Sequence, residues 1–346
     1  MNDLTVGLAI VGGLVLAGVV AHGAWQARRA GPRRAEPAAG AAPATAAQIE
    51  PVLVHTDDVE PDLVLVRQPP RRAAARLDAL IDAIANLRPE VDLAGDVVLA
   101  HLPSTRRVGS KAWLVEGLNA ETQEWEPIVP GAHYRELQAG VQLANRSGAL
   151  NEIEYSEFAQ KVQALADTLG AMPELPDMLD AVARARELDA FASAHDAQLA
   201  LRLQARSVAW SVGYVQQAAA RRGFVAGALP GRMVIAATQE GDPPVLVLGY
   251  DAQAALAEAG ELAPVREATL SLDVAQTDAG QQPFAAWRAH AQALAQEMDA
   301  LIVDDQGREL TDASFATIGA ELERLYATLV EHGLAAGSAS GRRLFS

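Results

Sequence analysis

Seven histidines, His22, His55, His101, His133, His195, His290 and His332, are scattered along the 346 residues, with no H-x-x-x-H pair and no H-E-x-x-H helix. The spacing that brings two imidazoles to one metal from successive helical turns is therefore missing. Cysteine is absent, which removes thiolate nucleophiles, disulfides and Cys-type zinc sites together. Neither G-x-x-x-x-G-K-[ST] nor G-x-G-x-x-G occurs, so no loop is marked to cradle phosphate. Asp304-Asp305 could hold Mg²⁺, but a carboxylate pair in a turn before a helix more often solvates or caps it. No catalytic residue, metal or cofactor is expected. The enzyme alternative needs a convergent acid–base or nucleophile site in a deep pocket.

Charge narrows the partners. The chain has 28 Lys+Arg against 44 Asp+Glu, a formal net charge of -16. Residues 1–76 hold 8 of the former and 7 of the latter, leaving 20 against 37 in the remainder. Such a field repels phosphate backbones, so no nucleic acid partner is expected, while basic peptides or proteins fit it. Solubility alone would also account for it. No small-molecule substrate is indicated.

Chemistry being absent, the elements carry the reading. Leu4–Ala27 contains no Asp, Glu, Lys or Arg, and about 22 residues at ~1.5 Å rise span roughly 33 Å, enough to cross a bilayer. A cleaved signal peptide is the competing reading, but Asp3 and no Lys or Arg precede the run, and its length exceeds the usual apolar region. Arg28, Arg29, Arg33 and Arg34 follow it, which predicts a cytoplasmic location for the rest of the chain. Ala9, Gly13, Ala17 and Ala21 form a small-residue stripe through which two such helices could pair as a homodimer. Pro at 32, 37, 43, 51, 61, 69 and 70 makes the following stretch a spacer in which a continuous helix is denied. Two short apolar runs within it, Pro51–His55 and Leu63–Val66, could dock elsewhere.

Beyond the spacer the periodicity predicts an α+β fold. Strands are expected at Gln198–Gln204, Arg232–Ala237, Val245–Gly249, Glu267–Val274 and Leu301–Val303, with helices over Val208–Arg222, Pro283–Met298 and about Asp312–His332. The order βαβββαβα implies one sheet with helices on one face. Leu270, Leu272 and Val274 would face those helices, leaving Thr269 and Ser271 on the opposite side. An upstream copy is suggested by Arg135-Glu136 and the strand-like Leu137–Leu143, which parallel Arg266-Glu267 and Ala268–Val274, and by FAQKVQALADTLGA (158–171), which parallels WRAHAQALAQEMDA (287–300). In that copy Ala79–Leu87 would be the first strand, Ala112–Asn119 with Trp125–Ile128 a hairpin, and 176–192 the last helix. The expected plan is a transmembrane anchor at 1–28, a Pro/Ala-rich linker at 29–76, an α+β module at 77–194, a second at 195–335 and a tail at 336–346.

Residues 284–330 resemble the end of the FtsZ-binding domain of ZipA-type cell-division proteins: an amphipathic helix, a short strand, the turn Leu301–Gln306 with Arg308, and a terminal helix opened by Thr or Ser. The order of span, linker and C-terminal domain is similar too. The resemblance implies an adaptor that takes the extreme C-terminal peptide of FtsZ into a shallow apolar groove on the exposed sheet face, tethering the division ring to the bacterial inner membrane at the septum. Carried over by position, Met233 and Ile235 on one strand, Gly249 and Tyr250 at the end of the next, and Thr269 and Ser271 on the third would line the groove. For Met233 and Ile235 the sequence itself leaves burial and partner contact both open. The chain departs from the family plan in having Ser271 where a Phe can stand, a short loop at 238–244, and the module at 77–194. A membrane-tethered scaffold for another envelope or division partner is the alternative, and a tethered enzyme a more distant one.

Overall fold

A computed structural model describes residues 76–239, 241–257 and 262–346. The first module runs β1 (Asp82–Pro89), β2 (Leu93–Ala94), α1 (Gly95–His101), β3 (Arg107–Val108), β4 (Lys111–Asn119), β5 (Trp125–Pro127), β6 (His133–Gln142), β7 (Ala144–Asn145), β8 (Gly148–Ala149), α2 (Glu152–Leu169), β9 (Ala171–Glu174) and α3 (Met178–His195). The second runs β10 (Gln198–Ala205), β11 (Trp210–Ser211), α4 (Val212–Ala220), β12 (Val225–Ala226), β13 (Arg232–Ile235), β14 (Leu246–Tyr250), α5 (Ala252–Leu256), β15 (Pro264–Val265), β16 (Glu267–Asp273), α6 (Pro283–Met298), β17 (Ala300–Val303), α7 (Asp312–Glu331) and α8 (Ala339–Leu344).

The main sheets follow one path. The first is ordered β3-β4-β6-β1-β9 and the second β12-β13-β14-β16-β10-β17, so apart from β12 each strand has a counterpart in the same sequential place. Every pairing along both paths is antiparallel. Each module buries one sheet face under its helices: Ala85, Ala139, Phe158 and Val162 in the first core, Leu201, Leu270, Trp287 and Phe315 in the second. Local chemistry sets the helix ends. Asn151 and Glu154 form a capping box on α2, and Thr311 and Ser314 one on α7, so orphan N–H groups are met at each entry. Both α2 and α6 end on a left-handed residue, Gly170 (φ 61°) and Asp299 (φ 50°), and the chain turns directly into β9 or β17.

One part of the expected fold class is overturned. Among the described residues no helix is long and apolar enough to cross a membrane. The longest, α7, has 20 residues and keeps Glu321, Glu323 and Arg324 outside while Phe315, Leu322 and Leu329 are buried, an amphipathic pattern that packs on a core. Leu4–Ala27, its small-residue stripe and the linker's apolar runs lie outside the described residues. Smaller corrections concern boundaries. The first strand begins at Asp82 rather than Ala79 because residues 78–81 form a turn in which the Ile81 and Asp82 N–H groups bond the Asp78 carbonyl. The helix expected from Val208 begins at Val212, since Trp210-Ser211 pair with Pro264-Val265 and the Ser211 side chain caps the helix.

The largest correction is to the tail. Residues 336–346 are packed between the modules, with Leu344 0 % and Phe345 1 % exposed, in a third core that also holds Ile81, Ala144, Ala192, Ala275 and Leu329. Arg343 clasps Asp82 at 2.5 and 2.9 Å, and Arg342 pairs with Asp242. Arg146 bridges Asp196 (2.6 Å) and Asp273 (2.7 Å) across the junction. The charges of Arg342 and Arg343 are matched by Asp242 and Asp82, far away in sequence.

Candidate functional site

The uncovered face of the second sheet is built from two cross-strand rows. Paired residues share a face, and the register places Val225, Val234, Val247, Ser271 and Ala200 in one row. Arg232, Gly249, Thr269, Arg202 and Val303 form the next. At about 4.8 Å between strands a five-residue row spans roughly 19 Å. Pro243 and Pro244 rise at one side, and together with Gln198, Arg232, Val247, Gly249, Thr269, Ser271 and Asp273 they enclose a shallow depression of about 420 Å³. Its floor is half-buried Val247 beside Gly249, whose missing side chain leaves the strand backbone open to an approaching chain.

Three expected residues, Gly249, Thr269 and Ser271, lie on this face, as the alternation of β16 requires. Ser271 Oγ donates to the Val247 carbonyl at 3.3 Å. The other three face the helices. Met233 is opposite Leu248, and Ile235 opposite Leu246. Met233 is 6 % exposed within the core and Ile235 packs against it. Tyr250 is opposite buried Ala268, and its hydroxyl accepts a hydrogen bond from Gln216 Nε2 at 2.8 Å. The expected orientation of Met233, Ile235 and Tyr250 is thus corrected. β13 has four residues, too few for sequence to fix which alternate pair points to the core, and the missed positions are their neighbours Val234 and Arg232. Met233 and Tyr250 instead line a separate cleft of about 840 Å³ between α4 and residues 226–232.

Charge on the open face is uneven. The Arg202 guanidinium donates to the Asp304 and Asp305 carbonyls at 2.8–3.2 Å and pairs with Glu267 at 3.3 Å. Arg232 has no side-chain hydrogen bond or ion pair among the described residues. Asp304 does not cap a helix: its carboxylate accepts from the N–H groups of Gln306 (2.9 Å) and Arg308 (2.8 Å) and from Arg308 Nε (2.7 Å), closing the turn after β17. The Arg308 backbone bond leads among the causes that hold its carboxyl below the usual range.

Other perturbed groups serve packing. Burial lowers Lys111, whose ammonium donates to Ser110 Oγ (2.8 Å) and Asn145 Oδ1 (3.2 Å). Burial also lowers His290, which meets the Phe224 ring edge-on at 5.3 Å. Neither group lines the two cavities. Among the described residues no three His, Asp or Glu side chains are grouped to hold a metal.

Fold and site together define an α+β protein of two modules with matching strand order, the second of which carries a shallow depression on its open sheet face. No protein-family model and no curated protein matches the chain.

Proposed function

We propose that the chain is a cell-division adaptor whose second module takes the C-terminal peptide of FtsZ on its open sheet face, at the cytoplasmic side of the bacterial inner membrane. The observation that carries this reading is the shallow depression on Val247, Gly249, Thr269 and Ser271, bordered by Pro243 and Pro244, on the face that the ZipA-type resemblance of residues 284–330 implies. A few anchors in such a depression supply most of the binding energy of a short peptide. The membrane location is what the same resemblance implies. The role proposed is binding, not catalysis.

Titration of the full chain with the C-terminal peptide of the host's FtsZ tests the reading. Saturable binding that weakens when Val247 is replaced by Asp supports it. Absence of binding overturns the FtsZ assignment in favour of a scaffold for another partner. Fractionation of cells tests the location.

A further inference from the structure

The shared strand order extends to register. Leu87↔Leu137 and Ala85↔Ala139 in the first module match Leu203↔Ala268 and Leu201↔Leu270 in the second. Gly140 therefore stands where the second module has Ser271. Leu114, opposite Gly140, stands where it has Val247, and Glu116 where it has Gly249. At this place the second sheet is open and the first is filled by its own chain.

Leu77 lies directly over Gly140, so that a methyl group on residue 140 would overlap the Leu77 side chain. Arg76 Nε donates to Glu116 Oε1 at 2.7 Å, the Leu77 N–H donates to the same oxygen at 3.0 Å, and the Arg76 guanidinium also reaches the Trp125 carbonyl. Glu116 is 3 % exposed, and a carboxylate withdrawn from water needs a cation or donors beside it. Its partners come from a dipeptide that precedes β1 and belongs to neither sheet nor helix.

We propose that this face of the first module is a second peptide-accepting surface, held shut in cis by Arg76-Leu77, and that it fits an extended segment in which a basic residue directly precedes an aliphatic one. Glu116 selects the cation, Gly140 leaves the seat for the aliphatic side chain, and the acidic balance of residues 77–346 favours a basic ligand over an acidic one. The second module, with Gly249 in place of Glu116, lacks this charge selection. The proposal rests on reading the matching face of the second module as a peptide surface, but its ligand differs and is tested separately.

The experiment uses the full chain carrying Arg76→Ser and Leu77→Ser, and a fluorescent peptide of this chain's residues 70–80 followed by anisotropy. The double variant should bind the peptide at least tenfold more tightly than the wild type, whose seat is occupied. Adding Glu116→Gln should cost at least tenfold, and adding Gly140→Leu, which fills the seat, should abolish binding. Thermal unfolding of each variant separates lost binding from lost fold, and Leu77→Ala alone replaces the double change if that chain unfolds. Equal binding by wild type and variant, binding untouched by Gly140→Leu in a folded chain, or binding lost instead on Val247→Asp would each overturn the proposal. FtsZ peptide binding to the unaltered chain is read in its own titration, so failure of one assignment is visible apart from failure of the other.

Discussion

At the scale of single residues, the register makes neighbouring positions on β13 and β14 behave differently. Val247 faces the depression and is half-buried, whereas Met233 is in the core at 6 % exposed. A carboxylate at 247 would meet the peptide and leave the fold intact, an expected loss of at least about 2 kcal/mol, or roughly thirtyfold in affinity. Met233→Asp would bury a charge with no partner and should cost stability first, by about 3 kcal/mol or more. Titration and thermal melts of both variants check this, and the opposite pattern would reverse the facing of β13. His290 gives a pH signature. Burial, then the nearby Arg222, hold its pKa below the ordinary value, so the unfolded chain binds the proton at higher pH than the folded one. Its contribution is present above the unfolded value and is lost as pH falls through the folded one. His290→Gln should flatten the fall in melting temperature between about pH 7 and pH 5, and an unchanged slope would count against this account.

Among elements, the C-terminal helix α8 shows what periodicity could not supply. Six residues with two arginines give no apolar stripe, yet Leu344 and Phe345 are fully buried. Ending the chain at Ala336 should cost at least about 3 to 6 kcal/mol, from roughly 1.5–3 kcal/mol for each of Leu344 and Phe345 returned to water, with the loss of Arg343 beside Asp82 added to it; chemical denaturation measures it. The long elements were legible because their patterns are local. Pro283–Met298 keeps its expected bounds, and α7 closes one residue earlier than expected. Leu270, Leu272 and Val274 alternate over enough residues to fix which face of β16 is buried. Elements fixed by distant partners were not legible: Trp210-Ser211 is a strand only because Pro264-Val265 lies beside it. The same holds for Met233 and Ile235, since the phase of β13 is set by pairing with β14 and not by its own four residues; Tyr250, next to Gly249 on β14, faces the other side by strand alternation.

For the whole molecule, the decisive contact is the clasp between Arg343 and Asp82, which ties the end of the chain to the first strand of the first module. Asp82 is wholly withdrawn from water, and burial pushes its carboxyl above the usual range, although the Arg343 hydrogen bond and charge act the other way. Arg343→Ala would leave this carboxylate buried without its cation, a change expected to cost about 3–5 kcal/mol. Arg146→Ala, at a bridge whose side chains remain 23–29 % exposed, should cost less than about 1 kcal/mol. The sign of the pH dependence follows from the raised folded-state pKa. Protonated Asp82 is tolerated, so its contribution is retained below the unfolded value and lost as pH rises through the folded one. The penalty of Arg343→Ala should therefore be larger at pH 7 than at pH 4.5. Because the clasp and the third core are what join two separately cored modules, the wild type should unfold in one calorimetric transition, and Arg343→Ala combined with Phe345→Ala in two. A single transition in the double variant, with the wild-type enthalpy, would mean that the modules cooperate through other contacts and that the C-terminal segment is not what couples them.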